Sequence, residues 1–323
     1  MSPNRDYRRR MSRDSPEPLV SVIIPVRNGG SDVAGVLACL DRQTLQRDRF
    51  EIIFGDDGST DGGLEGIETS DGSVRVVSGA PRNAYAARND AVRSSRGHVL
   101  AFCDADCRPE PEWLEAGVDA LARGDIVAGR IRFTPPRQTT VWTLLDVDGS
   151  KNHEEQVRLH NAETANLFLS RELFDRLGGF DERQPGYGDF ELVSRYVDAG
   201  ARLLYAPDVV VSHPTRNQAR PYLRNMWSMH SSYAAFEARA GRLPDGLKLR
   251  SWVPVVQTFR ARRRLGRSLG PDRQWLGAND ISPSLRQRVT AAPLIYLLVP
   301  YLGCTAQLRG WWLGTRERRN PAA

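Results

Sequence analysis

Leu19-Val-Ser-Val-Ile-Ile-Pro25 and Phe50-Glu-Ile-Ile-Phe-Gly-Asp-Asp-Gly-Ser-Thr-Asp61 together decide the fold class. Each opens on a short apolar run closed by Pro or Gly, the pattern of a parallel strand buried on both faces. Between them Val33, Val36, Leu37 and Leu40 recur at helical spacing, with Ser31 at a capping position. The alternation continues with a strand over Val74 to Val77, a helix over Ala84 to Ser95 and a strand over His98 to Phe102. A helix from Pro111, favourable in a first turn, to about Arg123 and a strand over Ile126 to Ala128 follow. This order predicts an α/β fold with a largely parallel central sheet flanked by helices. In such sheets ligands sit at the carboxyl ends of the strands. The acidic residues fall there, Asp56 and Asp57 after one strand, Asp104 and Asp106 after another.

Carboxylates crowded at a strand end raise one another's pKa unless a cation neutralises them. Asp104 and Asp106, one residue apart in an extended segment, project to the same side. They can reach one hard cation, directly or through water, and Mg²⁺ or Mn²⁺ would keep open positions for substrate phosphates. Asp57 precedes the tight turn Gly58-Ser-Thr60 and can accept hydrogen bonds from ribose hydroxyls or a base N–H. A single Asp-x-Asp is common in turns and caps; two acidic strand ends in one parallel sheet point to a site.

The ordered set of motifs resembles family 2 glycosyltransferases. It runs from Val20-Ser-Val-Ile-Ile-Pro25 with Asn28, through Asp56-Asp-Gly-Ser-Thr-Asp61, Ala86-Ala-Arg-Asn89 and Asp104-Ala-Asp106. Gly178-Gly-Phe-Asp-Glu182 and Gly188-Asp-Phe-Glu-Leu192 with Arg195 complete it, so the likeness covers residues 19 to 215. The resemblance implies a GT-A-like, nucleotide-diphospho-sugar transferase fold. It implies that Asp57 holds the base or ribose, with Pro25 and Arg27 lining the same pocket, and that Arg88 approaches the base or diphosphate. Asp104 would touch ribose or metal and Asp106 would be the main metal ligand. Asn166, in the strand-like Thr164-Ala-Asn-Leu-Phe-Leu169, would lie under the acceptor. Asp189 matches the family's catalytic base, which takes a proton from an acceptor hydroxyl as that oxygen attacks with inversion. Mg²⁺ or Mn²⁺ would offset the charge building on the departing nucleoside diphosphate.

The chain departs from that pattern at Gly188, where Glu is frequent, and at Glu191, where Asp is usual. Asp189 is therefore the first candidate base and Glu191 the second, with helix capping as the alternative role for Asp189. His213, after the strand Val209 to Val211, is either a metal or diphosphate ligand or a structural hydrogen-bonding residue. Arg220 and Arg224 suit diphosphate oxygens or a solvated face, and Trp142 and Tyr187 suit sugar stacking or core packing.

The 323 residues divide into a basic lead (1–18), a catalytic domain (19–215) and a helical C-terminal extension (216–323). A helix over Ala219 to Ala240 carries Tyr222, Met226, Met229, Tyr233 and Phe236 on one face, expected to pack on the catalytic domain. Val289 to Leu308 is uncharged and flanked by arginines, but Pro293, Pro300 and Gly303 tell against a spanning helix. Trp311 and Trp312 beside Arg309 suit peripheral membrane contact around 289–312, and a basic tail favours anionic lipid. Cys39, Cys103, Cys107 and Cys304 lack zinc-site spacing and read as reduced thiols, and the N-terminus has no apolar signal core. A cytoplasmic chain, or one at the cytoplasmic membrane face, is expected. The net charge of +6 comes without a basic–aromatic RNA pattern or zinc fingers, so nucleic acid is not an expected partner. The expected partners are a nucleoside-diphosphate sugar and a hydroxyl on a glycan, lipid-linked or small-molecule acceptor. The rivals are a nucleotidyltransferase, for which Val26-Arg-Asn-Gly-Gly30 is a poor phosphate loop, and a non-catalytic glycan- or lipid-binding module, against which Asp57, Asp106 and Asp189 stand.

Overall fold

The computed structural model describes residues 17–134, 136, 138–149, 153–244 and 299–319. Strands β1 (Val20–Val26), β2 (Phe50–Asp56), β3 (Val74–Ser78) and β4 (Val99–Cys103) pair in parallel in the order β3-β2-β1-β4. Helix α1 (Gly30–Leu40) connects β1 to β2 and α2 (Ala84–Ser94) connects β3 to β4. The sheet continues through β7 (Asn166–Ser170), β6 (Ile126–Thr134), β8 (Leu203–Pro214) and β5 (Arg108–Pro109) to make eight strands. Here β4 with β7, β7 with β6 and β8 with β5 are antiparallel. The sheet is thus parallel from β3 to β4 and antiparallel in these three pairings beyond it. Nothing in the β7 sequence separates the two cases, because a strand buried on both faces reads as an apolar run in either direction.

Alternate residues of the strands feed two cores. Val20, Val22, Ile24 and Val26 point to one side with Val33, Val36 and Leu40 of α1 and Trp113 of α3 (Trp113–Leu121). Ile23, Ile53, Leu100 and Phe102 point to the other, among Ala91 and Val92 of α2, Phe174 of α6 (Arg171–Leu177) and Leu192 and Tyr196 of α7 (Gly188–Asp198). One polar group interrupts the apolar run of β2. Glu51, 1% exposed, accepts from Ser21 Oγ (2.7 Å) and Gly97 N (3.2 Å) and pairs with Arg75 (2.7 Å) and Arg96 (3.2 Å).

Ser31 does not cap α1. The helix begins one residue earlier, and its first N–H, on Gly30, is taken by Asp61 Oδ2 at 2.8 Å. A carboxylate from the next loop does the capping, a partner that local sequence does not reveal.

The chain forms two units. The first gathers the described parts of Met1–Arg132, Lys151–Arg183 and Gly188–His213, including α5 (His153–Arg158); the second gathers the described parts of Phe133–Ser150, Gln184–Tyr187 and Pro214–Ala323. In the second, α8 (Ala219–Arg239) pairs with α9 (Val299–Arg319). Gly310 and Gly314 allow the contact, since a Cβ there would lie 1.9 Å from Ser231 O and 2.3 Å from Ala235 O. Arg239 pairs with Glu317 at 2.7 Å. Trp142, on α4 (Val141–Gly149), packs on Tyr222, and Tyr187 on Tyr233 and Phe236, so both aromatic residues are packing groups. Arg220 and Arg224 are exposed. The lead (1–16) and the first part of the 289–308 segment lie outside the described residues. Val299 onward is helical, and no described helix is long and apolar enough to cross a membrane.

Candidate active site

The parallel half of the sheet brings the carboxyl ends of β1, β2 and β4 to one edge, with Val26 opposite Asp56 and Ile23 opposite Phe102. Of the acidic residues after β2, two are framework. Asp56 Oδ1 accepts from Ser59 N (2.8 Å) and Asp61 holds Gly30 and Gly63. Asn28, in the left-handed region at φ 55°, accepts from Thr60 N (2.8 Å) while its own N–H donates to Ser59 Oγ (3.0 Å). These bonds tie the β1 and β2 loops together and hold Asp57 between them. Asp57 is 6% exposed; its Oδ1 accepts from Arg82 N (2.7 Å) and its Oδ2 faces Arg27 Nη1 (3.4 Å). Pro25 is half-buried and Arg27 exposed at the same edge. A cavity of about 460 Å³ lies beside this turn, lined by Asp56, Ser59, Thr60, Glu65, Glu68 and Ser78, and none of the residues predicted to bind lines it.

After β4, the ligand atoms of Asp104, Asp106, Cys107 and His213 all lie within 4.8 Å of one another. The β5–β8 ladder makes this convergence, because Arg108 opposite Ser212 sets His213 beside the acidic turn. His213 is 3% exposed, its Nε2 3.5 Å from Asp106 Oδ1. Asp104 and Asp106 are partly exposed, and a turn, closed by Cys107 N donating to Asp104 O at 3.0 Å, brings them together in place of the extended segment expected. Two such carboxylates with an imidazole fit a hard divalent cation that keeps positions open. Cys107 belongs to the cluster geometrically, although, lacking zinc-site spacing, it reads in the sequence as a reduced thiol. Its adjacency to Asp106 was the available signal, but its thiol is fully buried, 3.7 Å from Ala165 O.

Arg88 is 5% exposed and sits beneath this edge. Its Nη2 donates to Asp104 Oδ1 at 2.6 Å, and its guanidinium lies 5.5 Å over the Tyr85 ring and 5.9 Å over Phe180. Arg88 thus takes a buried hold on Asp104, itself one of the residues expected to meet ribose or metal. Asn89, next to it, donates to Phe180 O (2.9 Å) and accepts from Phe180 N (3.0 Å), so one helical motif fastens both the acidic turn and the Gly178–Glu182 loop.

Asp189 lies in the first turn of α7, 9% exposed. Its Oδ1 accepts from Tyr85 OH (3.2 Å) and from Phe190 N (3.1 Å), and Oδ2 from Thr164 N (3.4 Å). Burial, reinforced by the charge of Glu163, raises its pKa from 3.8 to about 6, against Arg88 and the two backbone N–H groups. Glu191 is differently committed. Both its oxygens are bonded by Arg195 (2.7 and 3.2 Å), which also donates to Gly179 O (2.7 Å), so this pair fastens α7 to the preceding loop. Asn166 is fully buried, with Nδ2 on Arg130 O and Val209 O and Oδ1 on Trp113 Nε1, each at 2.9 Å. These three bonds consume its side chain in joining β6, β8 and α3, so the predicted acceptor contact is corrected to a structural one.

The model for glycosyl transferase family 2 matches residues 21–178. Over 206 residues the chain is 34% identical to glycosyltransferase AglE of Haloferax volcanii, spanning 62% of this chain and 68% of that one. It is 27% identical over 254 residues to pre-mycofactocin glycosyltransferase of Mycobacterium tuberculosis, spanning 72% of this chain and 52% of that relative. Mannosyltransferase PcManGT from Pyrobaculum calidifontis, solved in complex with GDP-Man and Mn²⁺, superposes with a TM-score of 0.56 at 19% identity. That match covers 99% of this chain and 94% of the other, a likeness of fold. With the sheet order, the carboxylates at its parallel edge and the extent of the match to the Haloferax relative in hand, the chain belongs to glycosyl transferase family 2 and is a GT-A-fold enzyme of the glycosyltransferase type.

Proposed function

We propose that this enzyme moves a sugar from a nucleoside-diphosphate donor to an acceptor hydroxyl, on a glycan, a lipid-linked or a small-molecule acceptor, with inversion at the anomeric carbon. The observation that carries this reading is the convergence of Asp104, Asp106 and His213 at a strand edge that also bears Asp57. Mg²⁺ or Mn²⁺ would be held by Asp104, Asp106 and His213, and when bound it supplies charge that offsets the departing diphosphate.

The chain's own residues do the rest. Asp57 receives the base or ribose hydroxyls, with Pro25 and Arg27 beside it, and Arg88 keeps Asp104 oriented by a buried bond. Asp189 takes the proton from the acceptor hydroxyl as its oxygen bonds the anomeric carbon and the bond to diphosphate breaks. A carboxylate titrating at about 6 is ionised at neutral pH and is a stronger base than an exposed one. Glu191, tied to Arg195, supports α7 instead.

The test is nucleoside-diphosphate release with Mn²⁺, after a thermal-shift screen of UDP-, GDP- and dTDP-sugars. Asp189→Asn is expected to cost about 10²–10⁴-fold in turnover while donor binding persists. Full transfer by that variant would assign the proton to another group, and undiminished turnover by Asp106→Ala would remove the metal assignment.

The outward face of α9 supports peripheral contact with an anionic, cytoplasmic membrane face. Leu308 and Trp312 are 51% and 57% exposed there, beside Arg309 and Arg316. Sedimentation with phosphatidylglycerol vesicles, weakened by Trp312→Glu, is the expected result; equal binding to uncharged vesicles would count against it.

A further inference from the structure

The residue before the base is a glycine because another side chain occupies its space. A Cβ on Gly188 would lie 2.8 Å from Cδ2 and Cε2 of the Tyr85 ring and 3.0 Å from Cγ, distances that Cβ atoms do not adopt. The ring itself is fixed. Tyr85 is 7% exposed, stacked on Phe180 at 5.5 Å, and carried by the first turn of α2, where Asn83 Oδ1 accepts from Tyr85 N and Ala86 N at 3.0 Å. Lying against the bare backbone of Gly188, it brings its hydroxyl to Oδ1 of Asp189.

We propose that Tyr85 is the positioning residue of the catalytic base: its phenol donates to Asp189 Oδ1, fixes the carboxylate's rotamer and favours its ionised form, and Gly188 is small so that the ring can reach. The inference rests on the reading of Asp189 as the base. Oδ2, met by Thr164 N at 3.4 Å, is left as the less engaged oxygen for the acceptor proton. A phenol thereby stands beside the base where an acidic side chain would have raised its pKa further.

The groups facing Asp189 come from several elements. Glu163, ahead of β7, opposes its ionisation, and Arg88 on α2 with the N–H groups of Thr164 and Phe190 favours it. Tyr85→Phe leaves all of these in position and keeps the ring, so any change belongs to the hydroxyl. A hydrogen bond to a charged group corresponds to about one pH unit in the titration of its acceptor. The experiment is the pH dependence of kcat and kcat/KM for the full chain with Mn²⁺ and its preferred donor.

In Tyr85→Phe the acid limb should move up by about one pH unit, with the donor KM unchanged, and Gly188→Ala, which displaces the ring, should move it in the same direction. A Tyr85→Phe profile superimposed on the wild type overturns the proposal, because a ring that merely fills the core would behave that way. Wild-type titration at full rate in Gly188→Ala overturns it as well. Asp189→Asn separates the two readings. Full transfer by that variant sinks the base assignment itself, whereas its inactivity beside an unmoved Tyr85→Phe profile sinks only the role of Tyr85.

Discussion

At the residue scale, Asp189 and Glu51 are both buried carboxylates, and their neighbours give them opposite consequences. Glu51 is saturated by two arginines, a hydroxyl and backbone N–H groups. Glu51→Ala should cost about 3–5 kcal/mol in chemical denaturation, since the arginines and Ser21 lose their buried partner. Asp189 is under-compensated, and its folded pKa of about 6 stands above the ordinary 3.8. The folded state therefore binds its proton more tightly. The stability this lends is complete below pH 3.8 and is lost as pH rises through about 6. Asp189→Asn should accordingly be more stable than the wild type by about 2–3 kcal/mol at pH 8, with the difference fading toward pH 4. Denaturation midpoints at the two pH values check the sign. A gain in stability with a loss of turnover is the mark of a group retained for chemistry.

At the element scale, close approach is achieved by missing side chains. Gly55 on β2 lies under α2, where a Cβ would stand 2.3 Å from the Ala87 carbonyl, and Gly310 on α9 lies against Ser231 of α8. Gly310→Ala should force α8 and α9 apart and cost about 1–3 kcal/mol by overpacking, read as a lowered Tm by circular dichroism. The helices themselves were legible: the predicted Ala84–Ser95 and Ala219–Ala240 segments form, one residue shorter at their ends. Their start signals were legible only where the cap is local. Asn83 caps α2 from the adjacent position, but Asp61 caps α1 from across a loop, and so Ser31 was misread.

At the scale of the whole molecule, β8 completes a cluster that the early strands begin, by delivering His213 to Asp104, Asp106 and Cys107. Mn²⁺ should therefore raise the Tm of the full chain; a stabilisation of about 2.7 kcal/mol corresponds to saturation at one hundred times Kd. Asp106→Ala should abolish the shift and leave the metal-free Tm near that of the wild type, because Asp106 is partly exposed. An unchanged Mn²⁺ response in that variant would move the cation elsewhere.

By itself the sequence determined the parallel half of the sheet, its carboxylate edge and the family, because apolar runs, turn residues and motif order are local and survive as pattern. Tertiary structure decided the antiparallel half, whose strand directions leave no trace in a two-sided apolar run. It also decided what each site residue touches. Arg88 turns to Asp104, Asn166 is spent on β6, β8 and α3, Glu191 is claimed by Arg195, and Tyr85 reaches Asp189 across the space that Gly188 leaves open. Each partner is distant along the chain or set by a neighbour's absent side chain, and a hydrogen bond is fixed by three-dimensional proximity, which motif spacing does not encode.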